Sequence, residues 1–182
     1  GHARFTSDTT LELDDGRSIE TRASVIATGS RPHIPEMLRA AGSRLLTNDN
    51  LFELDTLPGS VAVFGAGVIG LELGQALHRL GVRMRLFGRG GSVGPLQDPA
   101  IRGYAEACFA AEYALHSNAT VQTIEETPAG VRVCFDDGTG HAREETFDYL
   151  LCATGRRPNL DALGLDRTTL ARDERGVPRY CP

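Results

Sequence analysis

The chain has 182 residues, 41% hydrophobic and 24% charged, with 21 glycines and a formal net charge of −5. That length supports one substantial core and excludes both a peptide-sized stapled fold and a large multidomain machine. No apolar run reaches the roughly 18 residues of a membrane span, and the basic residues are scattered rather than striped, so small molecules are expected as ligands, with no nucleic acid and no membrane.

All 19 basic residues are arginine, which excludes lysine Schiff-base chemistry and a P-loop lysine. The chain opens at Gly1 with no methionine and no signal-like segment, so it is expected to begin inside a longer gene product. Leu11-Glu12-Leu13 alternates as a strand and runs into an Asp14-Asp15-Gly16 turn. After polar residues an apolar strand over Ser24–Ala27 is expected, ending in Ala27-Thr28-Gly29-Ser30-Arg31-Pro32. From Arg31 to Ser60, Pro32, Pro35, Pro58 and Thr47-Asn48-Asp49-Asn50 mark a crossing linker with a short helical piece near Met37–Ala41.

Beyond that point the pattern sharpens. A buried strand is expected over Ser60–Phe64, a helix over Val68–Leu80, a strand over Val82–Phe87, and a helix over Pro99–Glu112 with Asp98 as its N-cap. Strands alternating with helices imply a parallel sheet with right-handed crossovers. An antiparallel meander is expected from Val121 to Phe147, joined at Asp136-Asp137-Gly138. Val131–Gly138 and then Tyr149–Pro158, ending Ala153-Thr154-Gly155-Arg156-Arg157-Pro158, repeat the order of strand, Asp-Asp-Gly turn and Ala-Thr-Gly-x-Arg-Pro. The repetition reads as a duplicated half-domain, the tail of one copy followed by the whole of the next.

Gly65-Ala66-Gly67-Val68-Ile69-Gly70 is a G-x-G-x-x-G loop. The first glycine permits the tight turn, the second lets a pyrophosphate approach the backbone, and the third lets helix and strand pack closely. The helix start then offers free N–H groups and a positive dipole end to the phosphates. The motif alone is weak, but here it follows an apolar strand and opens a helix within a βαβ unit. Glu72, two residues into that helix by position, reads from its place alone as a first-turn acid favouring the helix dipole. Gly74 in mid-helix implies close packing on another element. Dinucleotide sites of the NAD type usually carry Asp or Glu about 20 residues past the loop. Here the strand ends Leu86-Phe87-Gly88-Arg89 without a carboxylate. Arg89 is either a partner for a 2′-phosphate or a solvated loop arginine.

The glycine loop continuing into Leu71-Glu72-Leu73-Gly74, the Ala-Thr-Gly-Ser-Arg-Pro of Ala27–Pro32 and Cys152-Ala153-Thr154-Gly155-Arg156-Arg157-Pro158-Asn159 resemble the pyridine nucleotide-disulfide oxidoreductases, dihydrolipoamide dehydrogenase and its relatives above all. The likeness covers nearly the whole chain, including Asn50-Leu51-Phe52-Glu53-Leu54 to Pro58. It implies an α/β fold: a three-layer Rossmann-like FAD/NAD(P)-binding domain with a parallel sheet, helices on one face and an antiparallel β-meander on the other. On that resemblance residues 1–30 are the tail of a truncated FAD-binding domain, 31–58 a linker, 59–155 the NAD(P)-binding domain, and 156–182 a return segment toward the FAD domain. The tail before Ser30 and the end after Pro158 are expected to pack beside each other or stay loose.

Carried over by position, Gly65, Ala66, Gly67, Val68, Ile69, Gly70 and Glu72 match the nicotinamide-dinucleotide loop, with Glu72 near the nicotinamide end. Val121 lines the adenine side and Gly155 closes the site, while Thr28, Gly29 and Ser30 lie near the flavin dinucleotide of the intact enzyme. Gly88 stands where NAD-using relatives carry Glu, which leans the cofactor toward NADP(H) with Arg89 beside it. The resemblance implies FAD, a homodimer and hydride transfer between nicotinamide and flavin in the whole protein. No C-x-x-x-x-C redox pair is present, and no catalytic residue is expected within the chain.

Two other functions remain open at this level: an NAD(P)H-dependent flavoprotein reductase with a non-disulfide acceptor, and a stand-alone dinucleotide-sensing module without catalysis. Cys108, Cys134, Cys152 and Cys181 show no metal-ligand spacing, so structural thiols in a reduced, cytoplasmic setting and no metal are expected. His2, His33, His78, His116 and His141 do not cluster in sequence and are expected at the surface or in packing.

Overall fold

The structure, a computed structural model, describes residues 1–136 and 140–180. The chain divides into two compact units, residues 1–31 with 156–182, and residues 32–155.

In the first unit, β1 (Ala3–Phe5), β2 (Thr10–Leu13) and β3 (Ser18–Glu20) form an antiparallel meander. Gly16, at φ +81°, takes the left-handed turn position after Leu13. The expected strand over Ser24–Ala27 is not formed. Val25 is 92% exposed, and no ladder partner flanks the segment among the described residues, so apolar β-formers there have nothing to pair with. The chain enters β4 (Ser30–Pro32) instead.

The second unit opens with α1 (Glu36–Arg39) and the three-residue strand β5 (Leu45–Thr47). Leu38, Ala41, Leu46 and Leu51 are buried, so the segment read as a crossing linker contributes to the core. Next come β6 (Ser60–Phe64), α2 (Val68–Arg79), β7 (Arg83–Phe87), α3 (Pro99–Glu112) and β8 (Ala114–His116). The meander β9 (Thr120–Thr127), β10 (Gly130–Asp136) and β11 (Ala142–Phe147) precedes β12 (Tyr149–Cys152). The chain then returns to the first unit through β13 (Arg156–Pro158), which pairs with β4. Asp137 and Gly138 of the expected meander joint, and Cys181, lie outside the described residues.

The main sheet has the order β5–β12–β6–β7–β8, and all its pairs are parallel. Every residue of β6 is buried, the signature of a parallel strand covered on both faces. Alternation along the strands sorts the core in two. Val61, Val63, Leu86 and Leu151 pack with Leu71, Leu77 and Tyr113 on the helix side. Ala62, Phe64, Phe87, Leu150 and Cys152 pack with Ile124, Val131, Val133, Phe135 and Phe147 of the meander. The expected three-layer α/β architecture is thus present, with helices on one face and the meander on the other.

The helices form for local reasons. α2 buries Gly70, Leu71, Gly74 and Leu77, a stripe at i, i+1, i+4 and i+7. A Cβ on Gly74 would lie 2.6 Å from the Met84 methyl, so the glycine lets the helix sit close on β7. α3 spans its expected residues. The Asp98 carboxylate accepts from the N–H groups of Ala100 at 2.8 Å and Ile101 at 3.0 Å, with Pro99 at the first helical position. Sheet and meander are tied by Arg85, whose guanidinium bonds Glu145 and lies 5.3 Å over the Phe135 ring.

Candidate functional site: a cleft across three strand ends

From β6 the chain runs through α2 to β7 and on to β8 on one side, and it later returns to β12 on the other side of β6. In open parallel sheets a crevice forms beyond the strand ends where the winding reverses in this way. A cleft of about 1000 Å³ lies there. Gly65, Ala66, Gly67, Val68 and Ile69 line it, as do Gly88, Arg89, Val121 and Gly155, so nine of the expected positions come together.

The three glycines of the loop do different work. Gly65 has φ +112°, and a Cβ there would stand 2.3 Å from the Ala153 carbonyl oxygen, so only glycine makes the turn from β6 toward α2 against the end of β12. A Cβ on Gly70 would meet the Gly65 carbonyl oxygen at 1.8 Å, and the residue does not line the cleft. Gly67, with nothing within 4 Å of its Cβ position and φ −77°, lines the cleft and is not required to be glycine by packing or by backbone conformation. It is the N-cap of α2 with no side-chain cap, so the first-turn N–H groups lack an intrahelical acceptor. A pyrophosphate fits that cradle by charge and by space.

At the end of β7 the backbone is clamped. The Gly88 N–H donates to the His116 carbonyl at 2.7 Å, the Ala119 N–H to the Gly88 carbonyl at 3.0 Å, and the Gly90 N–H to Asn118 Oδ1 at 3.0 Å. A Cβ on Gly88 would lie 2.6 Å from the Ser117 carbonyl oxygen, so the position takes no side chain. Arg89 is exposed and has no ion-pair partner among the described residues. The following loop folds back, the Gly94 N–H donating to the Ala66 carbonyl at 2.7 Å.

Glu72 is exposed and outside the cleft lining, and no hydrogen bond to it is found among the described residues. Thr28, Gly29 and Ser30 lie in the first unit. There the Thr28 and Gly29 carbonyls accept from the Asn159 side-chain amide and backbone N–H at 3.0 Å each, and Ser30 Oγ accepts from Arg156 at 2.8 Å. Sequence reasoning missed the wall formed by His33, Pro35, Met37 and Leu38, and also Ser92 and Asn118 at the β7 end. A polar Ser-Asn step after β8 and a serine within the glycine-rich run were the available signals for the last two.

The pyridine nucleotide-disulphide oxidoreductase family matches residues 1–179. The chain belongs to that family. It is similar to a mercuric reductase of Lysinibacillus sphaericus, 33% identical over 166 residues that cover 91% of this chain and 30% of that protein. It is also similar to a dihydrolipoyl dehydrogenase of Bacillus subtilis, 30% identical over 183 residues, 97% of this chain and 38% of that one. The chain therefore spans about a third of the length of these relatives of the oxidoreductase family.

Among solved structures, the HOCl-induced flavoprotein disulfide reductase RclA from Escherichia coli superposes with a TM-score of 0.83 over all of this chain and 41% of its own. At 23% identity that match shows the fold alone. LpdA from Mycobacterium tuberculosis matches with a TM-score of 0.73 at 30% identity, over 92% of this chain and 36% of its own. The family is one of flavoprotein disulfide oxidoreductases, as the motifs led one to expect. Among the described residues no helix is long and apolar enough to cross a membrane.

Proposed function

We propose that the chain carries the NAD(P)(H)-binding domain of an FAD-dependent disulfide oxidoreductase of the dihydrolipoamide dehydrogenase type. In this reading residues 59–155 hold the nicotinamide dinucleotide, 31–58 connect, and 1–30 and 156–182 belong to the FAD-binding domain of a whole protein that is a cytoplasmic homodimer. The observation that carries it is Gly67, the loop glycine whose Cβ position faces open space in the cleft while its two neighbours in the motif face backbone. Gly67, Val68 and Ile69 hold the pyrophosphate with the helix start, Val121 borders the adenine, and Gly155 closes the opposite end. Bound there, the nicotinamide supplies hydride donor and acceptor chemistry for the flavin of the whole protein. Thr28, Gly29 and Ser30 stand for the FAD side, and Glu72 for the nicotinamide end in the assembled enzyme.

The same site favours NADP(H). A carboxylate at the end of β7 would bind a ribose 2′-hydroxyl and repel a 2′-phosphate, and the Ser117 backbone leaves room for no side chain at Gly88. Arg89 then places a cation beside that space. Charge-assisted bonds contribute about 1.5–3 kcal/mol before the cost of ordering a loop arginine next to Gly90-Gly91, so the expected preference is nearer tenfold than a thousandfold. Calorimetric titration of NADPH and NADH against the chain and Arg89→Ala tests this. Equal affinities in the parent, or an alanine variant that keeps its NADPH affinity, return NAD(H) to first place.

A further inference from the structure

Of the residues lining the cleft, two carry titratable side chains, Arg89 at the β7 end and His33 at the other. His33 was expected at the surface or in packing. Its backbone is held on both sides: the N–H donates to the Gly155 carbonyl at 2.9 Å, and the carbonyl accepts from Thr154 Oγ1 at 2.8 Å and Cys152 Sγ at 3.5 Å. With both main-chain groups committed, the imidazole is what His33 has to offer the cleft. No hydrogen bond to that ring is found among the described residues, and the residue is only half-buried.

The sheet order gives the cleft a direction. Arg89 follows β7 and Gly155 follows β12, on opposite sides of the Gly65–Gly67 turn that follows β6. The span is two strand spacings, roughly 10 Å. A dinucleotide with its adenosine ribose at Arg89 and its pyrophosphate over Gly67 therefore sends its second half toward β12, where His33 waits. Resting on the dinucleotide reading above, we infer that His33 is a binding residue for the nicotinamide mononucleotide half, its ring hydrogen-bonding the ribose or the carboxamide. An imidazole both donates and accepts, which suits hydroxyl and amide groups. Its rigidly held backbone means that little order has to be created on binding.

The test is calorimetric titration of the 182-residue chain, His33→Ala and His33→Gln with NADPH and with 2′,5′-ADP, which keeps the phosphorylated adenosine and lacks the nicotinamide half. NADPH binding is expected to weaken about tenfold in His33→Ala, or ~1.4 kcal/mol, with 2′,5′-ADP unchanged within about twofold. His33→Gln, which also donates and accepts, restores most of the loss. Equal weakening of both ligands overturns the assignment, because it reports a disturbed cleft, and so does no weakening of either. A parent chain that binds 2′,5′-ADP but not NADPH overturns His33 alone. A parent that binds no dinucleotide, NADH included, overturns the reading of the cleft and the assignment with it.

Discussion

Gly67 and Gly70 sit three residues apart in one motif, yet an added methyl group would do opposite things at the two positions. At Gly67 the methyl enters open space with an ordinary φ, so the fold tolerates it and the cleft loses room where a phosphate must approach the backbone. At Gly70 it collides with the Gly65 carbonyl at 1.8 Å, a backbone atom that cannot swing away. Gly67→Ala is therefore expected to melt like the parent and to lose dinucleotide binding by calorimetry. Gly70→Ala is expected to lose about 3 kcal/mol in denaturant unfolding, the upper end for overpacking. If Gly67→Ala keeps its affinity, the loop is structural at both positions. The spacing of the motif was legible in the sequence, but which glycine faces a ligand was not. That depends on where β12 and the Gly65 turn come to lie, and both are settled by tertiary packing. The same holds for Gly88, whose missing side chain reads in sequence as a cofactor preference and in the structure also as close backbone approach.

Elements bounded by local chemistry were the readable ones. Pro99 at the first helical position and the Asp98 cap act within three residues, so α3 matches its expected bounds. β5 is three residues long with its partner about a hundred residues away, and it went unread. Ser24–Ala27 has the composition of a strand but, among the described residues, no neighbour to complete the ladder, which is why the repeated Ala-Thr-Gly unit gives β12 in one copy and exposed chain in the other. Where α3 meets β8, Tyr113 is buried with ring contacts to His78 and Phe109 at 5.9 Å, and its hydroxyl has no hydrogen-bond partner among the described residues. Burial, and then the nearby Glu112 carboxylate, push this phenol up to about 12. An unfolded phenol ionises near 10, so between pH 10 and about 12 the unfolded chain gives up a proton that the folded chain keeps. The associated stability is complete below pH 10 and is lost as the pH climbs through that window. Tyr113→Phe is expected to be as stable as the parent or up to about 1 kcal/mol more stable at pH 7, since no hydroxyl is left unpaired. Its alkaline loss should be smaller by about 1–2 kcal/mol, under a ceiling of ~2.7 kcal/mol for a two-unit gap. Denaturant titrations at pH 7 and pH 11 measure both, and a variant weaker than the parent at pH 7 would show that the hydroxyl has a partner.

The distribution of burial over the described residues separates a densely cored unit from a sparsely cored one. Of the buried hydrophobic residues among those described, Phe5 and Leu165 belong to the first unit and all the others to residues 32–155. The two chain segments of the first unit do pack beside each other, as the Phe5 N–H donates to the Leu163 carbonyl at 2.8 Å and Asp8 accepts from the Thr169 N–H at 2.7 Å. The Asp8–Thr169 tie is exposed and contributes little, whereas β6, β10 and β12 carry side chains with no exposure at all. Local stability should follow that division. Hydrogen exchange of the 182-residue chain is expected to be slowest in β6, β7, β10 and β12, and faster throughout residues 1–31 and 156–180. Saturating NADPH adds a second pattern, because ligand binding protects what it touches and whatever must be closed to touch it. Protection should rise in residues 33–38, 65–71, 88–92, 118–121 and 153–155, which come from five separate stretches joined only at the strand ends. It should stay unchanged in β1–β3. A gain confined to the glycine loop would mean a phosphate held at the helix start and no dinucleotide laid across the sheet. A gain in β1–β3 would place the ligand in the other unit.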